Sequence, residues 1–433
     1  MVARSQVCVR RLAEGCWAAQ MRFWRFLANE RVTTERLIEG WSERTRVAAA
    51  GRHVLAIQDT SEIKFATTAD NRRGLGKVKK GNAYGVLLHA MIGVDADSGV
   101  LLGLVGGRVW SREGDAVVPH AKRTLQDKES GRWIATAEAA EDTLSAAAQI
   151  TVVHDREGEF YANWAHWTPA ADRSDAGRVH QLTRLMHDHT VVKGGTVRKA
   201  VAALPPAGKG TIELRERADR AARTAHVTLR FGAVDLVRPK NTVEKGLPAS
   251  IRVQAIDLIE QHPPKDVEPI HWTLLTTHAI GTAADAWRIV GWYQRRWIIE
   301  QVFRVLKRQG LRIEDSQLES ADRLCKLVAI AAKAATIAMQ LVQARDGRDP
   351  QPASLVFTPD EIKVLSALSQ RMQGRTARQK NPHHPGSLAW ATRIIAKLGG
   401  WHEYEAKPPG PITIQNGLAY FRTLAAGWAF QNV

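Results

Sequence analysis

The sequence predicts an α/β fold, in which a mixed β-sheet is flanked by helices and further helices lie at both ends of the chain. Three observations indicate this fold. Short β-type apolar runs at 53–58 and 150–153 each lead into an aspartate. Segments with alternating apolar and polar residues between 178 and 269 suggest antiparallel strands. The patterns before residue 51 and after residue 345 are helical.

The elements follow one another in a regular order along the chain. A helical unit is expected up to about residue 50, and a strand at 53–58 then leads to Asp59. A basic, glycine-rich segment at 72–85 predicts a loop that either touches phosphate or is a solvated turn. The later elements predicted are strands at 85–94 and 100–106, a helix at 130–148, strands at 150–153 and 271–277, and helices at 283–310, at 321–344 and beyond 354.

These elements predict three domains. Residues 1–50 form an N-terminal helical domain, 51–345 an α/β domain with a β-rich insertion at about 178–269, and 346–433 a C-terminal helical domain.

Composition limits the class of protein. The chain has 433 residues, 44% of them hydrophobic, which is enough for a folded core in two or three units. Its net charge of +17 predicts an acidic partner, and DNA or RNA fits better than a small acidic molecule.

The cysteines and the longest apolar run indicate where the protein works. Cys8, Cys16 and Cys325 are too scattered for a disulfide framework or a zinc site, so a reducing, cytoplasmic setting is expected. The run at 327–342 is short and contains Lys333, which predicts a core helix and no membrane partner.

The segment YQRRWIIEQVFRVLK, residues 293–307, has one carboxylate among cations. At about 100° per residue, one stripe of a helix carries the polar residues Tyr293, Arg296, Glu300, Arg304 and Lys307. The opposite side is apolar. The stripe is either a solvated face with i, i+4 ion pairs or a place where an acid and phosphate-binding groups meet a nucleic acid.

Asp59, Asp155 and Glu300 are candidate ligands of a divalent metal. Two aspartates after β-type runs and a glutamate on a later helix offer the carboxylate oxygens that magnesium and manganese prefer. Two ions held there could activate a water or hydroxyl and stabilise the leaving oxygen of a phosphodiester.

Several motifs resemble a known family. They are LAIQDTSEI around Asp59, VVHDREGEF around Asp155, and the spacing Y-x2-R-x3-E-x6-K that begins at Tyr293, with KESGRW (128–133) and GSLAWATRIIAKLGG (386–400) as secondary matches. Together they resemble the bacterial insertion-sequence DDE transposases of the Tyr-Arg-Glu-Lys subgroup, over nearly the whole chain.

The resemblance implies a ribonuclease-H-like catalytic core that a β-rich insertion interrupts before the third acid. It implies that Asp59, Asp155 and Glu300 are catalytic and bind two Mg²⁺ ions, with Mn²⁺ as a substitute. The implied reactions on double-stranded DNA are nicking at transposon ends with terminal inverted repeats, hairpin formation, hairpin opening and strand transfer into target DNA. The resemblance further implies that 1–50 is a shortened DNA-binding domain, 51–345 the catalytic domain and 346–433 the dimerisation domain. A homodimer joined through the C-terminal helices is the implied assembly.

The resemblance also assigns DNA-binding residues. Tyr293, Arg296 and Lys307 would hold phosphates near the cleaved end, with Arg304 as a helper. An arginine can bind phosphate through two nitrogens, whereas a lysine acts as a point charge.

Trp272 falls at the family position of an aromatic that stacks on a flipped base. The alternative is an ordinary core residue of a strand. Trp297 and Arg184 are further DNA-binding candidates, Arg184 as a phosphate contact after the second aspartate.

One departure from the family keeps other functions open. Before Val7 the chain has no counterpart of the basic N-terminal stretch that engages the transposon end in the family. A shortened, non-catalytic inhibitor or DNA-binding remnant is therefore an alternative to an active transposase. A ribonuclease-H-like nuclease without strand transfer is a third.

Overall fold

The computed structural model describes residues 7–13, 15–68, 71–78, 83–112, 129–168, 178–214, 221–348, 350–376, 379–402 and 408–431. Its strands are β1 (His53–Lys64), β2 (Gly76–Lys77), β3 (Tyr84–Asp95), β4 (Leu101–Trp110), β5 (Gln149–His154), β6 (Val179–Arg184), β7 (Gly208–Leu214), β8 (Arg223–Val237), β9 (Ser250–Glu260) and β10 (His271–Thr276). Its helices are α1 (Val9–Leu12), α2 (Trp17–Ala28), α3 (Thr34–Glu39), α4 (Glu43–Ala49), α5 (Gly131–Thr143), α6 (Tyr161–Trp167), α7 (Val197–Ala202), α8 (Ala283–Gln294), α9 (Trp297–Lys307), α10 (Ala321–Ala344), α11 (Pro359–Met372), α12 (Leu388–Leu398) and α13 (Pro411–Gln431).

The described strands form one mixed sheet in the order β2-β3-β1-β5-β6-β10-β9-β8-β7, with β4 also paired to β3. β1, β5 and β6 are parallel, and the other pairs are antiparallel. Residues 54–57 of β1 are 0% exposed, as expected for a central strand that is covered on both faces. The mixed α/β architecture predicted from the sequence is confirmed.

Strand β1 is longer than the sequence indicates. The prediction that it ends at Asp59 is wrong, because pairing with β3 continues from Asp59 opposite Ala90 to Lys64 opposite Gly85. The backbone N–H and C=O groups of the polar residues after Asp59 are therefore hydrogen-bonded to β3. Ile63 points into the core and is 0% exposed. Asp59 lies within a strand rather than on a loop.

The strands predicted between 178 and 269 fall into two groups. β7, β8 and β9 are antiparallel, as expected. β6 instead pairs in parallel with β5, so it is one of the central strands. β9 pairs with β10, and the antiparallel strands thus extend the central sheet instead of forming a second one.

The helix predicted at 283–310 is interrupted. α8 ends at Gln294 and α9 begins at Trp297, with Arg295 and Arg296 forming a turn between them. A capping box between Thr282 and Asp285 starts α8. The prediction of one continuous helix is wrong, and the break lies within the polar stripe.

Helix α10 lies at the centre of the helical layer. It is long and apolar enough to cross a membrane, but 83% of its most apolar window is buried inside the fold, which confirms the predicted core helix. The N-terminal helices pack against it. Lys326 donates hydrogen bonds to the carbonyl oxygens of Leu27, in the last turn of α2, and of Asn29, just after it. Lys333 donates one to the carbonyl oxygen of Gly40, just after α3. Both lysines satisfy carbonyl groups at helix ends.

The C-terminal helices have an apolar core of their own. It is formed by α11, α12, α13 and the end of α10, with the rings of Phe357 and Phe421 packed edge to face at 5.5 Å. A capping box between Thr358 and Glu361 begins α11.

Candidate active site

Asp59, on β1, and Asp155, directly after the neighbouring strand β5, lie level with each other. Ile57 of β1 is opposite Val153 of β5 in a parallel pair, so two residues further along each chain lead to Asp59 and Asp155. Residues two apart share a face of the sheet, and neighbouring strands lie about 4.8 Å apart. The sheet therefore brings these two carboxylates together.

Two hydrogen bonds hold the turn that begins at Asp155. Its carboxylate accepts one from the backbone N–H of Glu157 at 2.9 Å and so caps a short 3₁₀ turn, Arg156–Gly158. Its carbonyl oxygen accepts one from the hydroxyl of Thr183 on β6 at 2.9 Å. The Asp155 side chain is fixed by the backbone that follows it.

The electrostatic environment of Asp59 is unfavourable to its charge. Burial first, and then the neighbouring Asp155 carboxylate, raise the pKa of Asp59 to about 7. Arg296 and the backbone N–H of Thr60 lower this pKa, while Glu300 raises it further. The carboxylates thus form a concentration of negative charge that a cation would relieve.

Arg296 joins the third acid to the first. Its Nη1 lies 3.4 Å from Oδ2 of Asp59, and its Nη2 donates a hydrogen bond to Oε1 of Glu300. The Arg296 side chain is only 11% exposed. The i, i+4 ion pair predicted for the stripe is therefore present, and its arginine also contacts an aspartate from the sheet.

The donor atoms of the site suit a hard divalent cation. Carboxylate oxygens are the ligands that magnesium and manganese prefer. Within the described ranges, no three His, Cys, Asp or Glu side chains converge closely enough to hold a metal ion as they stand. Arg296 supplies the positive charge between Asp59 and Glu300 in this arrangement.

The break between α8 and α9 is held by Arg295, a residue that the sequence analysis did not single out. Its guanidinium donates hydrogen bonds to the carbonyl oxygens of residues 95–97 in the turn between β3 and β4, at 3.1 Å to Asp95 and 2.9 Å to Asp97. The indole of Trp292 donates to the same turn. Gly99 has a φ of +78°, and a Cβ there would lie 3.2 Å from Nε of Arg295.

The apolar and polar sides of α9 determine the direction in which Glu300 points. The residues predicted for its apolar side are all buried: Ile298, Ile299, Val302, Val305 and Leu306. Burial of this side against α10 and β1 fixes the rotation of the helix, so Glu300 is turned toward Arg296 and Asp59.

Trp272 lies between a cation and a second aromatic ring. The guanidinium carbon of Arg184 is 6.0 Å from the centre of its indole ring, and the ring of Tyr293 meets it edge to face at 5.8 Å. Arg184 also donates a hydrogen bond to the carbonyl oxygen of His271 at 2.8 Å. The structure therefore brings these three candidates together beside Arg296.

The candidate phosphate-binding residues differ in exposure. Tyr293 is only 6% exposed, and burial raises its pKa. Arg304 is exposed, Lys307 is half-buried, and burial lowers the pKa of Lys307. The Trp297 ring lies 5.5 Å from the guanidinium carbon of Arg296. The buried Tyr293 ring thus packs against Trp272, and Tyr293 also interacts with Arg296.

Arg184 adds to a cluster of cations. Its pKa is lowered by burial and by the nearby Arg156, Arg296 and Arg198. A bound polyanion would reduce the repulsion between these cations, and a DNA backbone has the required negative charge.

A comparison of the sequence with known protein families points to one of them. Residues 166–337 match the family model for the transposase DDE domain. The match covers less than half of the chain and includes β10, the break between α8 and α9, and Glu300. It supports a DDE transposase that acts on DNA, in a family whose members use divalent metal ions. Asp59 and Asp155 lie before the matched residues.

Two residues near the site were missed or placed wrongly by sequence reasoning. Arg295 follows the spacing of a helix, and no glycine or proline marks the break, so the sequence had no signal for its role. His154, directly before Asp155, is 0% exposed, and its Nε2 lies 3.3 Å from Nδ2 of Asn163. Burial lowers the pKa of His154 to about 4.

Proposed function

We propose that this protein is a metal-dependent DNA transposase of the Tyr-Arg-Glu-Lys subgroup, which includes the transposase of the composite kanamycin-resistance transposon. The observation that carries the proposal is that Arg296 contacts both Asp59 and Glu300, while the Asp155 carboxylate lies close enough to raise the pKa of Asp59. Glu300 lies inside the matched transposase DDE domain. A ribonuclease-H-like core agrees with the mixed sheet and its parallel strands β1, β5 and β6.

The proposed reaction is cut-and-paste transposition. Water first attacks a phosphodiester at the transposon end and releases a 3′-hydroxyl. That hydroxyl attacks the opposite strand to form a hairpin, a second hydrolysis opens the hairpin, and the 3′-hydroxyl finally attacks target DNA. Each step forms one phosphorus–oxygen bond and breaks another. Two Mg²⁺ ions, or Mn²⁺ in their place, would activate the attacking oxygen and stabilise the leaving one.

The side chains divide this work between them. Asp59, Asp155 and Glu300 would hold the metal ions through their carboxylate oxygens. Arg296 would turn from these acids to a phosphate oxygen of the cleaved end, and Lys307, at the other end of α9, would bind a further phosphate, because both residue types bind phosphate. This exchange of partners keeps the site close to charge balance.

The aromatic residues would hold distorted DNA. Trp272 would stack on a base flipped out of the duplex, and Arg184 and Tyr293 already fix its ring in the structure. Stacking on an aromatic ring offsets about 1–3 kcal/mol of the cost of unstacking a base. Trp297 and Arg304 would extend the contacts along the backbone.

The experiment is a cleavage assay with the full chain and a DNA fragment that carries the inverted repeats flanking the gene. Nicking, hairpin formation and joining to a target plasmid are expected with Mg²⁺ or Mn²⁺, and Glu300→Gln should abolish all three. Exposed Glu319→Gln makes the same chemical change away from the acids and should retain activity. Full activity in Glu300→Gln would refute the proposal.

The same assay distinguishes a transposase from the two alternative functions, an inhibitor or DNA-binding remnant and a nuclease without strand transfer. Binding of the repeats without cleavage by the wild-type chain would favour an inhibitor or DNA-binding remnant. Cleavage without joining would favour a nuclease. Dimer formation through the C-terminal helices is part of the proposal, and a synaptic complex with two DNA ends measured by light scattering would support it.

A further inference from the structure

Arg132, in the KESGRW motif, contacts the segments that carry both aspartates. It lies in the first turn of α5, and its side chain is 11% exposed. Nε donates a hydrogen bond to Oγ1 of Thr60 at 3.2 Å, and Nη2 lies 3.6 Å from Oε2 of Glu157. Thr60 follows Asp59 directly, and Glu157 lies two residues after Asp155. Lys128, at the start of the motif, lies outside the described residues.

The guanidinium is held in a fixed place. Nη1 donates a hydrogen bond to the carbonyl oxygen of Glu129 at 2.7 Å. The rings of Trp110 and Trp133 lie 5.7 and 5.5 Å from its central carbon. Contacts with aromatic faces and several acceptors offset the loss of water around a buried cation. Arg132 therefore has little freedom to swing toward solvent.

A chain of hydrogen bonds connects Thr60, which follows Asp59, to Gln58, which precedes it. Thr60 Oγ1 lies 2.9 Å from Nδ1 of His89, and Nε2 of His89 lies 3.1 Å from Oε1 of Gln58. The amide nitrogen of Gln58 donates to the carbonyl oxygen of Trp133 at 3.2 Å. Gln58 and Thr60 are the two neighbours of Asp59 in β1.

The proton positions in this chain follow from the partners. Oε1 of Gln58 only accepts, so Nε2 of His89 must carry the proton, and Nδ1 of the neutral ring must accept from the Thr60 hydroxyl. Thr60 Oγ1 then accepts from Arg132. Burial of His89 keeps its pKa well below the usual value, which agrees with a neutral ring. Each link in the chain therefore pairs one donor with one acceptor.

The second aspartate is connected through Glu157. The backbone N–H of Glu157 donates to the Asp155 carboxylate, and the Glu157 side chain faces Arg132. One guanidinium thus spans the strand of Asp59 and the turn of Asp155. Both contacts are with side chains, the Thr60 hydroxyl and the 66% exposed Glu157 carboxylate, and together they restrain the strand of Asp59 and the turn of Asp155 relative to each other.

We propose that Arg132 is a positioning residue that sets the separation of the Asp59 and Asp155 carboxylates and thereby the affinity of the site for divalent metal ions. It acts through Thr60 and Glu157 and does not touch DNA. This inference rests on the proposed function, since it assumes that the two aspartates are metal ligands.

The test measures Mn²⁺ binding to the full chain by calorimetry and, separately, DNA cleavage as a function of Mn²⁺ concentration. Arg132→Gln should weaken Mn²⁺ binding about tenfold, the lower end of the range for groups that orient metal ligands. Excess Mn²⁺ should restore most of the cleavage rate, and the DNA affinity should not change. Arg132→Lys keeps the charge near Glu157 but loses the forked geometry, so it should restore affinity in part.

The matched control is Arg112→Gln. Arg112 makes two hydrogen bonds to the side chain of Glu129, at 2.8 and 2.7 Å, so it supports the same segment as Arg132. Thr60→Val removes only the hydroxyl and keeps a β-branched residue in the strand. If Arg132→Gln does not fold, as judged by circular dichroism, Thr60→Val carries the test and should weaken Mn²⁺ binding about threefold, within the range for a neutral hydrogen bond.

The outcomes are distinct. Mn²⁺ affinity in the folded Arg132 or Thr60 variant equal to that of Arg112→Gln would overturn the inference and leave the proposed function standing. A loss of DNA affinity in Arg132→Gln would also overturn it, because it would show a direct phosphate contact. If the wild-type chain binds no Mn²⁺, the proposed metal site fails and the inference fails with it.

Discussion

Replacement of Arg295 by alanine should destabilise the fold and misplace the catalytic helix. The guanidinium donates hydrogen bonds to three carbonyl oxygens of the turn at 95–97. A hydrogen bond from a charged group contributes about 1.5–3 kcal/mol when it is well formed. Because Arg295 is half-buried and the freed carbonyls can bind water, we expect a total loss of about 3 kcal/mol in the free energy of unfolding.

Urea unfolding followed by tryptophan fluorescence measures this loss, with exposed Arg308→Ala as the control. Arg295→Lys should recover about a third of the lost free energy of unfolding, since a lysine supplies one point charge but lacks the forked N–H donors of a guanidinium. In the cleavage assay, Arg295→Ala should lower the rate more than the DNA affinity, because Arg296 lies in the break and Glu300 lies in the first turn after it. An Arg295→Ala protein within about 0.5 kcal/mol of wild type, the usual range for a surface change, would refute this reasoning.

Three further predictions concern catalysis, DNA distortion and pH. Asp59→Asn should lower DNA nicking by about a thousandfold or more, because the ion then lacks an anionic ligand; residual nicking above about a tenth of wild type would contradict this. Trp272→Ala should reduce hairpin formation about tenfold or more while first-strand nicking persists, as resolved on denaturing gels; equal losses in both would contradict a role in base flipping. Burial lowers the pKa of His278 to about 2, from 6.5, so the unfolded chain binds the extra proton below pH 6.5. Stability should be full above that pH and fall by about 2 kcal/mol on acidification to about pH 5; thermal melts of His278→Gln should show a flatter pH dependence, and an unchanged slope would contradict the assignment.

The sequence predicted those features that local patterns encode. The apolar side of α9 follows from its periodicity, and the run at 150–153 correctly placed Asp155 at the end of a strand. These patterns depend on neighbours in the chain, so no knowledge of the fold was needed to find them.

Other features depend on contacts between distant residues. β1 continues past Asp59 because β3 provides backbone partners, and the helix breaks at Arg295 because a turn two hundred residues earlier accepts its hydrogen bonds. No local signal marks either event. The contact between Arg296 and Asp59 likewise joins residues 237 positions apart, and only the spacing of Arg296 to Glu300 was visible in the sequence.

The pairing of β9 with β10 has a consequence for any attempt to shorten this protein. Trp272 lies on β10 opposite Leu258 of β9, in a ladder that runs from His271 to Thr276. Removal of the strands between 208 and 260 would leave β10 as a bare sheet edge whose unpaired backbone groups invite association between molecules. A minimal catalytic fragment would therefore need a replacement strand along β10, and a simple linker from β6 to β10 should yield a protein that aggregates.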